Sequence, residues 1–203
     1  MRRSCLLLAG LAALLPAAAR ADWLLGARTG FALPLGESDA NASMSDLVKG
    51  QVPLQVEVAY RFRQLTLGGY FSYGFGALGG PAKTLCEPGK PCSSTSLRLG
   101  GELDWSFSRP LRRWEPWIGA GIGYESITLR RTTSLTVSGS EFLILQGGVD
   151  WRLGAAGSIG PFASFSFGTY TNFDGDAGSG PIMDRRTHEW LTVGVRGRFD
   201  LGG

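Results

Sequence analysis

Apolar and polar residues alternate along much of this chain with a period of two. In the clearest segment, residues 51–63, every second residue from Val52 to Phe62 is apolar, and Gln55, Glu57 and Arg61 fall between them. Successive side chains of a β-strand point to opposite faces, so the segment predicts a strand with one apolar and one polar face.

The same alternation recurs in seven further segments: 23–35, 65–75, 97–107, 114–130, 143–153, 159–171 and 191–199. Beyond the first 21 residues, no run approaches the 18 consecutive apolar residues that a membrane-spanning helix needs. The pattern therefore predicts an all-β domain of eight strands.

The predicted connections alternate in length. Three are short, at Arg63–Gln64, Ser108–Arg113 and Gly154–Ser158. The other four are predicted as long loops: residues 36–50, 77–95, 131–139 and 172–186. Short turns at one end and long loops at the other are typical of an antiparallel up-and-down barrel in the bacterial outer membrane, with both termini in the periplasm. An even number of strands closes such a barrel without an open edge.

The polar face is predicted to point inward and the apolar face towards lipid. The apolar faces carry roughly thirty-five large side chains, more than the interior of eight strands holds. Gly119, Gly121 and Gly123 fall on the polar face, where small residues relieve crowding in a narrow lumen. Aromatic residues near the strand ends predict two interfacial belts: Trp23, Phe62, Trp105, Phe107, Trp114, Trp151 and Phe199 at the short-turn end, and Phe31, Phe71, Tyr73, Tyr124 and Phe167 at the long-loop end.

Charged residues of both signs fall on the predicted inward face: Arg28, Glu57, Arg61, Arg98, Glu102, Asp104, Glu115, Glu125, Asp150, Arg152, Arg196 and Arg198. An unpaired charge in a narrow lumen would lose hydration at a large cost, so we expect an internal network of ion pairs. A path that selects ions or small solutes is the alternative.

Residues 1–21 have the features of a cleavable signal peptide, followed by the barrel at residues 22–203. Arg2 and Arg3 precede an apolar run, and Ala19-Arg20-Ala21 forms an Ala-x-Ala cleavage pattern. Without this leader the basic and acidic residues balance, so net charge gives no reason to expect a nucleic-acid partner.

Export also predicts a disulfide. Cys86 and Cys92 flank the turn sequence Glu-Pro-Gly-Lys-Pro, and an oxidising compartment favours their pairing. Closing so small a loop stabilises a fold by about 2 kcal/mol.

Two segments resemble a known family. The run Trp114-Glu-Pro-Trp-Ile-Gly-Ala-Gly-Ile-Gly-Tyr124 is similar to a strand of the small OmpA/OmpX/OmpW-type outer-membrane barrels. The segment Thr192–Phe199 resembles the C-terminal signal that the barrel-assembly machinery reads, but it differs at Gly197 and continues to Gly203. The resemblance implies an eight-stranded barrel in the outer-membrane bilayer, inserted by that machinery. We expect a monomer.

The sequence favours a non-enzymatic envelope protein, structural or adhesive through its long loops, over a narrow channel. An enzyme that modifies lipid A is a third hypothesis and would depend on His188-Glu189, but nucleophilic catalysis needs a neighbouring serine as well. We expect His188 to be an interfacial polar residue near the outer face. Asp174-Gly-Asp176 lacks the distal ligands of a calcium loop and predicts a solvated turn. No cofactor or metal is expected, and a single histidine excludes most zinc centres.

Overall fold

The computed structural model describes residues 21–39, 42–84, 86, 92–107, 113–130, 133–154, 157–176 and 178–201. The predicted signal peptide lies outside the described residues, except for Ala21, which begins the first strand.

Eight long strands form the fold: β1 Ala21–Asp39, β2 Val48–Phe62, β3 Leu65–Leu78, β4 Ser93–Ser106, β5 Trp114–Arg130, β6 Ser134–Arg152, β7 Gly157–Gly175 and β8 Thr187–Asp200. Each strand pairs antiparallel with the next along the chain, and β8 pairs with both β7 and β1. This closes the sheet, so the predicted eight-stranded antiparallel up-and-down barrel is confirmed.

Two short helices lie at the end where the longer connections are, which we call the loop end; the opposite end is the turn end. Helix α1 spans Met44–Leu47 and helix α2 spans Gly80–Thr84. In the described part of the chain, neither helix is long enough to cross a bilayer. Short strands at Ala42–Ser43 and Gly178–Pro181 extend β1 and β7 at this end.

One predicted loop is wrong. Residues 134–139 belong to β6 and pair with the end of β5, so the connection between these strands is only residues 131–133. The Thr128 and Thr136 hydroxyls hydrogen-bond across this hairpin at 3.0 Å. In this segment the apolar residues Leu135 and Val137 face the cap at the barrel's interior, not lipid, so the lipid-facing alternation that predicted the other strands stops short of it.

The two faces of the wall are oriented as predicted. The side chains of Val56, Leu99 and Val193 are 58%, 49% and 49% exposed on the outer surface, whereas Glu57, next to Val56, is 2% exposed. At the turn end, Trp114 and Trp151 face each other across β5 and β6 with ring centroids 5.1 Å apart. An exposed apolar wall of this extent is stable when it contacts lipid, as the transmembrane prediction requires.

A buried apolar cluster, which we call the cap, closes the loop end of the interior. It consists of Ala32, Met44, Val48, Leu78, Ala82, Ile127, Leu129, Val137, Tyr170 and Trp190. Helix α1 contributes Met44 and begins with a capping box, in which the Ser43 amide donates to Asp46 Oδ2 at 3.1 Å. The Gly79 amide donates to the Leu47 carbonyl at 3.0 Å and so joins α2 to α1.

The disulfide between Cys86 and Cys92 is present, with 6.2 Å between the two Cα atoms. Both cysteines are partly buried against the cap. The bond therefore links Cys86, just after α2, to Cys92, just before β4, at the edge of the cap.

Candidate functional site

Below the cap, the interior of the barrel is filled by a central cluster of charged residues. It contains three guanidinium and four carboxylate groups, all buried: Arg28, Glu57, Glu102, Asp104, Asp150, Arg196 and Arg198. They come from strands β1, β2, β4, β6 and β8, so closure of the barrel brings them together. Each lies on the polar face of its strand.

Arg196 crosses the interior to reach two other strands. Its guanidinium donates to Asp104 Oδ2 at 3.0 Å and to Asp150 Oδ2 at 2.6 Å. The guanidinium carbon also lies 3.3 Å from the ring centroid of Trp117, whose indole N–H donates to Asp150 at 3.2 Å. Stacking and ion pairing together fix this side chain, which is 1% exposed.

Arg28 joins the cluster from β1. It forms ion pairs with Glu57 and, at 2.8 Å, with Glu102. It also donates to the Gln146 side-chain oxygen at 2.6 Å, while the Gln146 amide donates to Glu102 and Asp104 at 3.0 and 2.8 Å. Gln146 thus satisfies charged groups on both sides, which a buried polar network needs.

A second cluster lies between the first cluster and the cap and is centred on Glu125. Its carboxylate pairs with Arg98 at 2.6 Å and accepts from the Tyr170 hydroxyl at 3.0 Å. The Trp190 indole donates to it at 3.3 Å, and His188 Nε2 lies 3.0 Å away. Arg98 also pairs with Glu141 at 3.4 Å.

His188 is not the interfacial residue that the sequence predicts. It is 1% exposed inside the barrel, and its ring stacks on Tyr170 with centroids 3.9 Å apart. The reason is register: His188 shares the inward face of β8 with Trp190 and Arg196.

Two glycines make room for these side chains. A Cβ added at Gly119 would lie 2.1 Å from Asp104 Oδ1, and one added at Gly123 would lie 2.3 Å from the Tyr70 hydroxyl oxygen. The Gly-x-Gly-x-Gly run of β5 therefore allows the bulky groups of β3 and β4 to enter the lumen.

Comparison with solved structures fits this geometry. The chain superposes on Neisserial surface protein A with a TM-score of 0.53 at 12% identity, over 86% of this chain and 95% of that one. It superposes on the outer membrane protein OprG of Pseudomonas aeruginosa with a TM-score of 0.50 at 13% identity, over 87% of this chain and 95% of that one. No protein-family model and no curated protein sequence matches.

The chain has the fold of the small eight-stranded outer-membrane β-barrels. At this level of identity the comparison establishes the fold alone. The function of this barrel depends on the residues of its own interior and ends.

The remaining predicted lumen charges lie at the mouth of the barrel at the turn end. Arg61 pairs with Asp200 at 3.5 Å, and Arg152 pairs with Glu115 at 2.8 Å. Both pairs line an open cavity of about 170 Å³. The predicted charges therefore fall into three groups: the central cluster, the Glu125 cluster and this mouth.

The interior position of one charged residue, Glu141, was not predicted from the sequence. Glu141 and Leu145 are both odd-numbered, yet Glu141 is buried inside and Leu145 is 48% exposed on the outer wall, because Phe142 is an extra residue in the pairing of β6 with β7. A β-bulge of this kind shifts the alternation by one residue. The one available signal was that Glu141 follows a polar run and precedes four consecutive apolar residues, which a strictly alternating strand does not contain.

The interior leaves little free space in the part of the chain that the structure describes. A cavity of about 50 Å³ lies between the two clusters and is lined by residues that include Arg28, Tyr70, Glu102 and Glu141. This volume holds a few water molecules.

The other candidate sites remain structural. Asp176 Oδ2 accepts from the Ser134 amide at 3.0 Å, so it ties the end of β7 to the start of β6. Within the described ranges, no group of three His, Cys, Asp or Glu side chains is arranged to hold a metal ion.

Proposed function

We propose that this protein is a non-enzymatic integral protein of the bacterial outer membrane whose role is structural or adhesive and is exercised at the loop end. In this proposal the turn end and both termini face the periplasm, and the barrel acts as a monomer. A nucleic acid is not among its proposed partners; the bilayer and, during insertion, the barrel-assembly machinery are.

The filled interior is the observation that carries the proposal. Arg196 and Trp117 cross the centre of the lumen, and the cap covers its loop end. A solute would have to displace buried ion pairs and a packed apolar cluster, and both displacements cost several kcal/mol. This supports a role at the surface rather than in conduction.

The loop end offers such a surface. The hairpin of β5 and β6 projects there. The connection between β7 and β8 carries Met183, 90% exposed, with Arg185 and Arg186 beside it. Neisserial surface protein A, which has a similar fold, is by its name a surface protein. The structural similarity to that protein supports the proposal that the loop end is exposed on the cell surface.

The burial of His188 argues against a lipid-modifying enzyme. A lipid's ester bonds lie along the outer wall, whereas His188 lies inside and contacts Glu125 and Tyr170. Acyl transfer also needs a nucleophile within hydrogen-bond reach of the base.

Conductance distinguishes the closed barrel from the narrow channel. We expect the purified protein to insert into planar bilayers and give no steady conductance. A steady current that changes in Arg196→Gln or Glu57→Gln, which alter the central cluster, would replace the proposal with the channel hypothesis.

Adhesion is tested on whole cells. We expect cells that express the protein to bind more strongly to an immobilised sulfated glycan, whose anionic groups Arg185 and Arg186 can pair with, than cells in which residues 178–186 are replaced by a short Gly-Ser turn. Equal binding by the two strains, with equal amounts of folded barrel in the membrane, would contradict an adhesive role for this loop and leave the structural role.

A further inference from the structure

An open groove of about 630 Å³ lies on the outside of the barrel at the loop end. It is lined by Lys49, Ala77, Leu78, Gly80, Lys83 and Cys92, so it runs between α2 and the adjoining ends of β2 and β3. Two of these residues connect the groove to the cap, since Leu78 belongs to the cap and Cys92 packs against it, whereas none of the six belongs to the ion-pair clusters.

The groove lies immediately above the aromatic belt of the outer wall. Phe75, 54% exposed on the lipid-facing surface, is two residues before Ala77 on the same strand face. The Phe31 ring covers Gly50, next to Lys49: a Cβ added at Gly50 would lie 2.7 Å from Phe31 Cζ. Aromatic belts mark the boundary between hydrocarbon and headgroups, so the groove lies at headgroup level.

Local backbone structure places both lysines on this surface. Val48 is buried in the cap, whereas Lys49, which lies where the pairing of β2 with β3 is irregular, is exposed. Lys83 is positioned by α2, whose Lys83 amide donates to the Gly79 carbonyl at 2.8 Å and whose end is held by the disulfide.

The lining has the chemistry of an anion site with an apolar floor. The six lining residues carry two ammonium groups and no carboxylate, and Ala77, Leu78 and Gly80 supply the floor. Lysine stems lie along apolar surface while their ammonium groups bind phosphate oxygens.

We propose that this groove binds a phosphate group of the phosphorylated glycolipid that forms the outer leaflet of the outer membrane. Lys49 and Lys83 contact the phosphate, and the first part of an acyl chain packs on the apolar floor beside Phe75. The bound lipid thereby fixes the height of the loop end relative to the membrane surface.

The test measures lipid binding by the purified, folded barrel in detergent, with native mass spectrometry as the readout and bisphosphorylated lipid A as the probe. In the double variant Lys49→Gln/Lys83→Gln, we expect the apparent affinity to fall by about tenfold or more, because clustered basic residues near a headgroup each contribute to binding. The matched control Arg185→Gln/Arg186→Gln also removes two positive charges from the loop end but lies outside the groove, and its affinity should stay within about twofold of the wild type.

Two further arms separate the sources of phosphate. Dephosphorylated lipid A should bind as weakly to the wild type as lipid A binds to the lysine variant. Inorganic phosphate, at the concentration of the lipid, should not compete. Equal binding of lipid A by the wild type and the lysine variant would overturn the proposal, as would full competition by inorganic phosphate, which would indicate a site for the free anion. Heat-modifiable gel migration verifies that every variant is folded.

Discussion

At the scale of single residues, the Arg196 side chain fills the centre of the lumen and connects three strands. It is buried against Trp117 and pairs with two carboxylates from different strands, Asp104 and Asp150. Burying the charges has a large desolvation cost, which the ion pairs offset only while every partner is present.

Removing this guanidinium should therefore destabilise the folded barrel. We expect Arg196→Ala to lower the free energy of unfolding by about 3–5 kcal/mol, because Asp104 and Asp150 stay buried but lose the guanidinium that pairs with both of them. Urea titration of the barrel in lipid vesicles measures this.

Arg186→Ala is the matched control, because Arg186 pairs with Asp184 at 3.5 Å on the exposed loop. A surface pair contributes at most about 1 kcal/mol. The account of the interior is wrong if the two substitutions destabilise the barrel equally.

At the scale of elements, the cap depends on a close approach between the two short helices. A Cβ added at Gly79 would lie 2.3 Å from the Ser45 carbonyl oxygen and 2.4 Å from that of Asp46. Both are backbone atoms, so a side chain at this position cannot be accommodated by a change of rotamer.

Gly79→Ala should consequently separate α1 from α2 and loosen the cap. We expect hydrogen exchange of the backbone amides at residues 44–49 and 79–84 to accelerate by about tenfold or more, since local opening of a packed segment controls its exchange.

Gly80→Ala provides the comparison, since an added Cβ there meets nothing within 4 Å. Its exchange should match that of the wild type. Unchanged exchange in Gly79→Ala would show that the two helices do not need this contact.

Strands that lie between lipid and the lumen could be predicted from the sequence, whereas the segments outside the bilayer could not. Alternation predicted eight strands and their faces because each strand lies between lipid and a polar lumen, so its two sides face different solvents. It could not place Glu141, because the bulge at Phe142 changes the phase of the pattern. It also missed residues 134–139, where Leu135 and Val137 face the cap inside the barrel and no lipid-facing apolar row continues the pattern.

The cap was missed for a related reason. Met44, Leu78 and Val137 come from three separate segments that were predicted as loops or lie at their edges, and no local period links them. Closure of the barrel is what brings them together. The charged residues were easier to predict, because each lies in a regular strand, although which carboxylate pairs with which guanidinium depended on the register.

At the scale of the whole molecule, one orientation explains the apolar wall, the paired charges and the capped lumen. Apolar side chains contact hydrocarbon, and polar side chains face each other across the barrel axis. The backbone hydrogen bonds and the ion pairs are therefore made within the protein, as the water-free core of a bilayer requires. The loop-end surface and the lysine groove both depend on this orientation.

The most direct test detects which methyl groups touch lipid. The barrel is placed in lipid nanodiscs with labelled methyl groups, and nuclear Overhauser contacts to acyl-chain protons are measured. We predict contacts from Val56, Leu99 and Val193, which are exposed on the wall, and none from Ile144 and Thr192, which line the interior cavity. Acyl-chain contacts from Ile144 and Thr192, with none from Val56, Leu99 and Val193, would contradict the account.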